Sequence, residues 1–107
     1  MTVIARFRYQ IQLGRMDEFR AKLKAAADPQ FTSAQMPQAI RFYRCVVPGS
    51  DANTLLMDIE YPNLAAYGAR SDFEHSQAAW AVIWGAQVDA PEQLLGVELL
   101  QQFDPFV

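Results

Sequence analysis

The chain has 107 residues and a mass of 12.1 kDa, a size at the mode for one domain, so a single domain over residues 1–107 is expected. Size scaling gives a folded surface of about 6,000 Å² against roughly 17,500 Å² unfolded, enough burial for a core without disulfides. Hydrophobic residues at 51%, charged residues at 20% and a net charge of −3 exclude a disordered or collagen-like chain.

Val3 to Ile11 alternates, with Val3, Ala5, Phe7, Tyr9 and Ile11 on one side and Ile4, Arg6, Arg8 and Gln10 on the other, which predicts a strand. Gly14 breaks it. Met16, Phe19, Leu23 and Ala26 then recur at helical spacing until Asp28-Pro29, giving a helix over about 15–27. Residues 29–38, with two prolines, read as a loop. Ala39 to Val47 is a second strand, Pro48 to Asn53 a turn, and Thr54 to Tyr61 a third strand, so the pair forms a hairpin with a long loop. Pro62 ends it, and Asn63 caps a short helix containing Leu64 to Tyr67, which Gly68 weakens. Ser71-Asp72-Phe73-Glu74 fits a capping box and opens a helix to about Ala86, with Phe73, Gln77, Trp80 and Trp84 along one stripe. Leu94 to Phe103 is the last strand.

The order β-α-β-β-α-β predicts an α+β, ferredoxin-like fold: a four-stranded antiparallel sheet with the helices on one face. Alternation assigns Tyr9, Tyr43, Cys45, Val47, Met57 and Tyr61, among others, to the helix-covered face. The other face receives Ile4, Arg6, Arg8, Ile40, Phe42, Arg44, Val46, Leu56, Asp58, Glu60, Leu94, Glu98 and Leu100. Seven of these thirteen are apolar, too many for an open face, so a homodimer through the helix-free face is expected.

Charge is divided unevenly along the chain. Residues 1–50 hold eight Lys or Arg and three acids, whereas residues 51–107 hold Arg70 alone against nine acids. The basic residues are scattered singly, without a run or a Gly-rich loop, so no nucleic-acid partner is expected. Pairing between the halves, with Arg6, Arg8 and Arg44 against Asp58, Glu60 and Glu98, is the simpler reading. The longest charge-free stretch, Ser76 to Val88, is too short for a membrane span, and the first residues lack a basic region followed by an apolar core, so no membrane partner and a cytoplasmic location are expected.

The stretch from Leu56 to Tyr67, followed by Asp72-Phe73-Glu74-His75-Ser76-Gln77-Ala78-Ala79-Trp80, resembles the NIPSNAP-like and antibiotic-biosynthesis-monooxygenase-like branch of the dimeric α/β barrels. The resemblance implies two ferredoxin-like subunits packed sheet against sheet, and cofactor-free oxygenation as one chemistry. Haem-degrading relatives place an Asn on the first strand and a Trp and a His on the second helix. Here the first strand has no Asn and Trp80 follows His75, so haem degradation is not expected.

Residues that could carry chemistry are few. His75 has a pKa range suited to proton transfer but falls off the Trp stripe and reads first as a surface histidine. Tyr43 and His75 are the weak catalytic candidates. Cys45 has no activating neighbour in sequence and reads as a small core residue. Asp58 and Glu60 share a face, as paired carboxylates would, or form structural ion pairs with Arg6 and Arg8. One His and one Cys with scattered acids give no metal site, and no nucleotide-binding fingerprint is present, so neither metal nor cofactor is expected. Trp80 and Trp84, facing Tyr9, Tyr43, Met57 and Tyr61, would line a site for a small apolar or aromatic molecule. Two functions follow: a cofactor-independent monooxygenase or isomerase, or a non-catalytic binding or interaction module whose cavity its own aromatic residues fill.

Overall fold

A computed structural model describes residues 1–46 and 53–107. Strand β1 (Val3–Ile11) leads through helix α1 (Met16–Ala26) to β2 (Ala39–Arg44). Strand β3 (Thr54–Tyr61), helices α2 (Leu64–His75) and α3 (Ala78–Trp84), and β4 (Glu92–Gln101) complete the chain. The strands form one antiparallel sheet in the order β2-β3-β1-β4, the ferredoxin-like arrangement expected from the element order.

Gly14, at φ +78°, supplies the left-handed backbone that turns the chain from β1 into α1. Arg15 fixes the start of α1: its guanidinium donates to Glu18, Asp89 and the carbonyls of Asp89 and Ala90. Phe19 leaves α1 to become fully buried against Tyr9, Ile11 and Met57. A second cluster joins Ala5, Tyr61 and Ala66, and Phe7 and Ile59 pack against both. The core therefore sits beneath the helices and over the two central strands. Residues 29–38 are more than a connection. A single 3₁₀ turn at Pro29–Phe31, capped by the Asp28 carboxylate accepting from the Gln30 amide at 2.9 Å, buries Phe31.

Four expectations change. First, α2 runs through Gly68 and the break falls at Ser76-Gln77. Ser71 lies inside α2 and makes no capping box, because the Asn63 carboxamide already caps the helix from the Ala66 amide at 2.8 Å and nothing interrupts the ladder before Ser76. The Ser76 hydroxyl then donates to the Phe73 carbonyl at 2.6 Å, competing for a helical acceptor where the helix ends.

Second, β2 presents the opposite faces to those assigned. Phe42 pairs with Met57 and Tyr43 with Leu56, so Ile40, Phe42 and Arg44 lie on the helix side, while Arg41 and Tyr43 join the helix-free face. Both parities of this strand carry apolar residues, so its pattern was ambiguous and the register with β3 decided it. Third, β4 starts two residues earlier than predicted, and a bulge between the Arg8–Gly96 and Tyr9–Leu94 pairs leaves Leu95 unpaired. The extra residue moves Leu94 to the helix side. Fourth, β2 ends at Arg44. Val47 and most of the Pro48 to Asn53 turn lie outside the described residues.

Candidate functional site

The residues expected to line a site divide among three places. Tyr9, Met57 and Trp84 meet in the larger core cluster, with the Trp84 ring 6.4 Å from Tyr9 and 6.0 Å from Phe19. Trp80 stands next to Trp84, ring centres 6.5 Å apart, but sets its own face against Phe31 at 5.0 Å in an edge-on contact. Tyr61 belongs to the second cluster, where it meets Tyr67 edge-on at 5.6 Å. Tyr43 is on the far side of the sheet, separated from all of these by the β2 register. The break at Ser76-Gln77 puts α3 against α1 and the 29–38 loop, and this brings the two tryptophans onto Phe19 and Phe31. Their rings thus pack on aromatic residues of α1 and of the 29–38 segment, apart from Tyr43 and Tyr61.

The two buried phenols are proton donors. Burial pushes the Tyr9 hydroxyl up to about 12, with the Glu92 charge acting in the same direction. Tyr61 is also pushed up to about 12 by burial and by Glu74, against an opposing pull from Arg70. Both remain protonated at neutral pH and can donate a hydrogen bond to a developing oxyanion, though neither can act as a base there. His75 is exposed at the end of α2, where Nδ1 lies 2.7 Å from the Ser71 carbonyl oxygen of its own helix. It reaches none of the aromatic residues named above. Cys45 is a free, half-buried thiol at the end of β2. Among the described residues no three His, Cys, Asp or Glu side chains group as metal ligands.

Open apolar surface lies beside the aromatic core. On the helix side of β4, Val97 is opposite Phe7 and Leu99 opposite Ala5, yet Val97 and Leu99 are 46% and 48% exposed. Tyr67 packs on the Ala5–Tyr61 cluster, whose Ala5 pairs with Leu99, and Phe7 flanks the strip on β1.

Arg70, the lone cation of the C-terminal half, was not expected in the site and is its most deeply held polar group. Only 4% exposed, it donates from Nε to Glu74 at 2.9 Å and from Nη1 to the Phe31 carbonyl and to Ser33 Oγ. Its guanidinium also lies 5.0 Å from the Phe73 ring centre and 5.6 Å from that of Trp80. Burial raises the Glu74 carboxyl above the usual range, with Arg70 opposing. The signal available in sequence was the i, i+4 spacing of Arg70 and Glu74 next to two aromatic residues.

The helix-free face carries an ion-pair network. Arg6 donates through Nε and Nη2 to both oxygens of Asp58, each at 2.8 Å, and this fork raises the Arg6 pKa despite opposing desolvation. Asp58 is only 5% exposed. Arg8 reaches Glu98 at 3.3 Å and Arg41 reaches Glu60 at 3.4 Å. Arg41 thus stands where Arg44 was expected.

No family model matches the sequence, and no curated protein matches it. Solved structures do. A NIPSNAP domain protein from Burkholderia xenovorans superposes with a TM-score of 0.63 at 17% identity, covering 100% of this chain and 98% of that one. The fold is that of the NIPSNAP and antibiotic-biosynthesis-monooxygenase-like proteins. An antibiotic-biosynthesis-monooxygenase-like protein from Bordetella bronchiseptica superposes at 0.59 with 17% identity, covering 95% and 97% of the two chains. A NIPSNAP family protein from Agrobacterium tumefaciens does so at 0.60 with 13% identity, covering 98% and 96%. These are the two groups that the Leu56–Tyr67 and Asp72–Trp80 stretches resemble. No helix among the described residues is long and apolar enough to cross a membrane.

Proposed function

We propose that this protein is a homodimer that binds a small apolar or aromatic molecule on the helix side of its sheet. The observation that carries the reading is the half-exposed strip of Val97 and Leu99 beside Phe7 and Ala5 on the helix side of the sheet. Pockets for small molecules are mostly apolar with a few oriented polar groups. Here Tyr9, on the strand beside β4 and held protonated, supplies a donor suited to a phenolate or enolate. With the folds of monooxygenase-like proteins as support, the reaction this reading carries is cofactor-independent oxygenation or isomerisation of an electron-rich aromatic compound. Tyr67, packed on the Ala5–Tyr61 cluster, is the candidate to touch the ligand; Trp84 is linked to Phe7 through Tyr9.

Dimerisation has its own support. The chain exposes 7303 Å², about 1,300 Å² more than the roughly 6,000 Å² expected of a compact monomer of this mass. Its radius of gyration is 15.0 Å, against about 13 Å for a globule of this length. A standard interface takes about 800 Å² from each partner. Ile4, Leu56, Leu100 and Tyr43, around the Arg6–Asp58 fork, offer an apolar surface with its central charges already paired.

Titration of phenols and quinones against tryptophan fluorescence tests the binding. Saturable quenching that Leu99→Arg abolishes and Tyr43→Phe leaves unchanged supports it, and oxygen uptake with a quenching compound identifies an oxygenase. The second reading, a non-catalytic module, is favoured by the packing of Trp84 on Tyr9 and Phe19. It stands if no compound in the panel quenches the tryptophans.

A further inference from the structure

We propose that Met36 is a site of oxidation by hydrogen peroxide, and that its sulfoxide is held by the Arg70 guanidinium and the Ser33 backbone amide. A thioether is a weak hydrogen-bond acceptor, yet firm donors converge on this one. The Ser33 backbone amide points at Met36 Sδ from 3.4 Å and Arg70 Nη1 lies 3.5 Å away, while the Ser33 hydroxyl, 4.0 Å off, gives its proton to the Gln35 carbonyl.

The donors are fixed in advance. Arg70 is buried and anchored by Glu74 and the Phe31 carbonyl, and the Ser33 hydroxyl donates to the Gln35 carbonyl at 3.1 Å. Met36 itself is 46% exposed, so a small oxidant reaches it from solvent. Such surroundings suit an oxygen better than a sulfur.

Oxidation supplies that oxygen. Hydrogen peroxide transfers one oxygen atom to the sulfur: the S–O bond forms as the O–O bond breaks, the thioether loses two electrons, and water leaves. With the exposed Met36 side chain drawn back by the length of the new S–O bond, the sulfoxide oxygen, a strong acceptor, faces the guanidinium and the Ser33 amide, so the charge-assisted bond is stronger than the one it replaces. Sulfoxide formation in a packed core usually disrupts it. At Met36 the product instead pins the 29–38 loop more firmly to α2.

The other methionines provide internal references. Met57 is buried, Met16 half-buried and Met1 freely exposed. The purified chain is treated with graded hydrogen peroxide, mapped by peptide mass spectrometry and melted. The expected result is sulfoxide at Met36 and Met1 ahead of Met16 and Met57, with Tm raised by about 4 °C or more at that stage. Met36→Leu, which oxidises at Met1 alone, shows no rise. Met36→Gln, which places an amide oxygen near the same donors, raises Tm without peroxide. An unchanged or lower Tm once Met36 is oxidised overturns the proposal, as does a Met36 that stays intact after Met1 has reacted fully.

Discussion

Replacing Arg70 by methionine keeps an apolar stem of similar reach and removes every donor. Glu74, whose side chain is 22% exposed, then loses its only close cation among the described residues, and the Phe31 carbonyl loses the Nη1 proton. Breaking a buried pair by removing one partner costs about 3–5 kcal/mol. Glu74 retains some access to water, so the lower end applies, about 3 kcal/mol at neutral pH. With a urea slope near 1.5 kcal/mol/M, the unfolding midpoint falls by about 2 M. The loss depends on pH in a definite direction. Burial holds the Glu74 carboxyl above its ordinary value while Arg70 pulls it down, so the substitution raises it further. Between the ordinary and the raised value the folded state binds the proton and the unfolded state does not, so stability falls as pH rises through that interval. Arg70→Met therefore costs most near pH 7 and less near pH 5, and adding Glu74→Gln removes the difference. Urea melts followed by circular dichroism at both pH values measure this. A midpoint shift below about 0.5 M, or one equal at the two pH values, refutes the argument.

If the proposed homodimer forms through the helix-free face, Leu56→Arg at its centre is expected to convert it to monomer in sedimentation at micromolar concentration, because the change buries an unpaired charge; Phe42→Glu, on the helix side, is expected to do so less. Arg6→Ala leaves Asp58 buried without its fork and costs about 3 kcal/mol in urea melts, whereas Arg20→Ala, whose Asp17 partner is fully solvated, changes the midpoint little. Arg15→Ala is expected to lower the urea midpoint more than Arg8→Ala, since Arg8 holds one exposed contact at 3.3 Å and Arg15 ties α1 to the segment before β4. Trp84→Ala removes a partly buried ring that packs on Tyr9 and Phe19 and lies 5.3 Å beneath the Lys22 ammonium; a loss of about 3 kcal/mol is expected from thermal melts.

Local patterns fixed the element types. Alternation in Val3–Ile11, helical spacing from Met16 to Ala26 and the Asn63 cap each act through neighbours a few residues apart, and the order β-α-β-β-α-β leaves one common solution for the sheet. The same alternation placed Arg6, Arg8 and Asp58 on one face, where they are found. Tertiary structure decided what depends on distant partners. Tyr43 could point either way because β2 is an edge strand with apolar residues at both parities, and only its pairing with Leu56 settles the face. Leu94 changes sides because a bulge, which leaves no mark in a hydropathy pattern, adds one residue to β4. The Trp80–Trp84 stripe was legible, but whether it lines a space or fills one depends on Phe19 and Phe31, which come from α1 and from a segment that reads as loop. Arg70 looked like an ordinary helical cation. Its burial follows from Phe31, Ser33 and Glu74 converging on it, and a carbonyl and a hydroxyl almost forty residues away in the chain carry no sequence signal that they will be its partners.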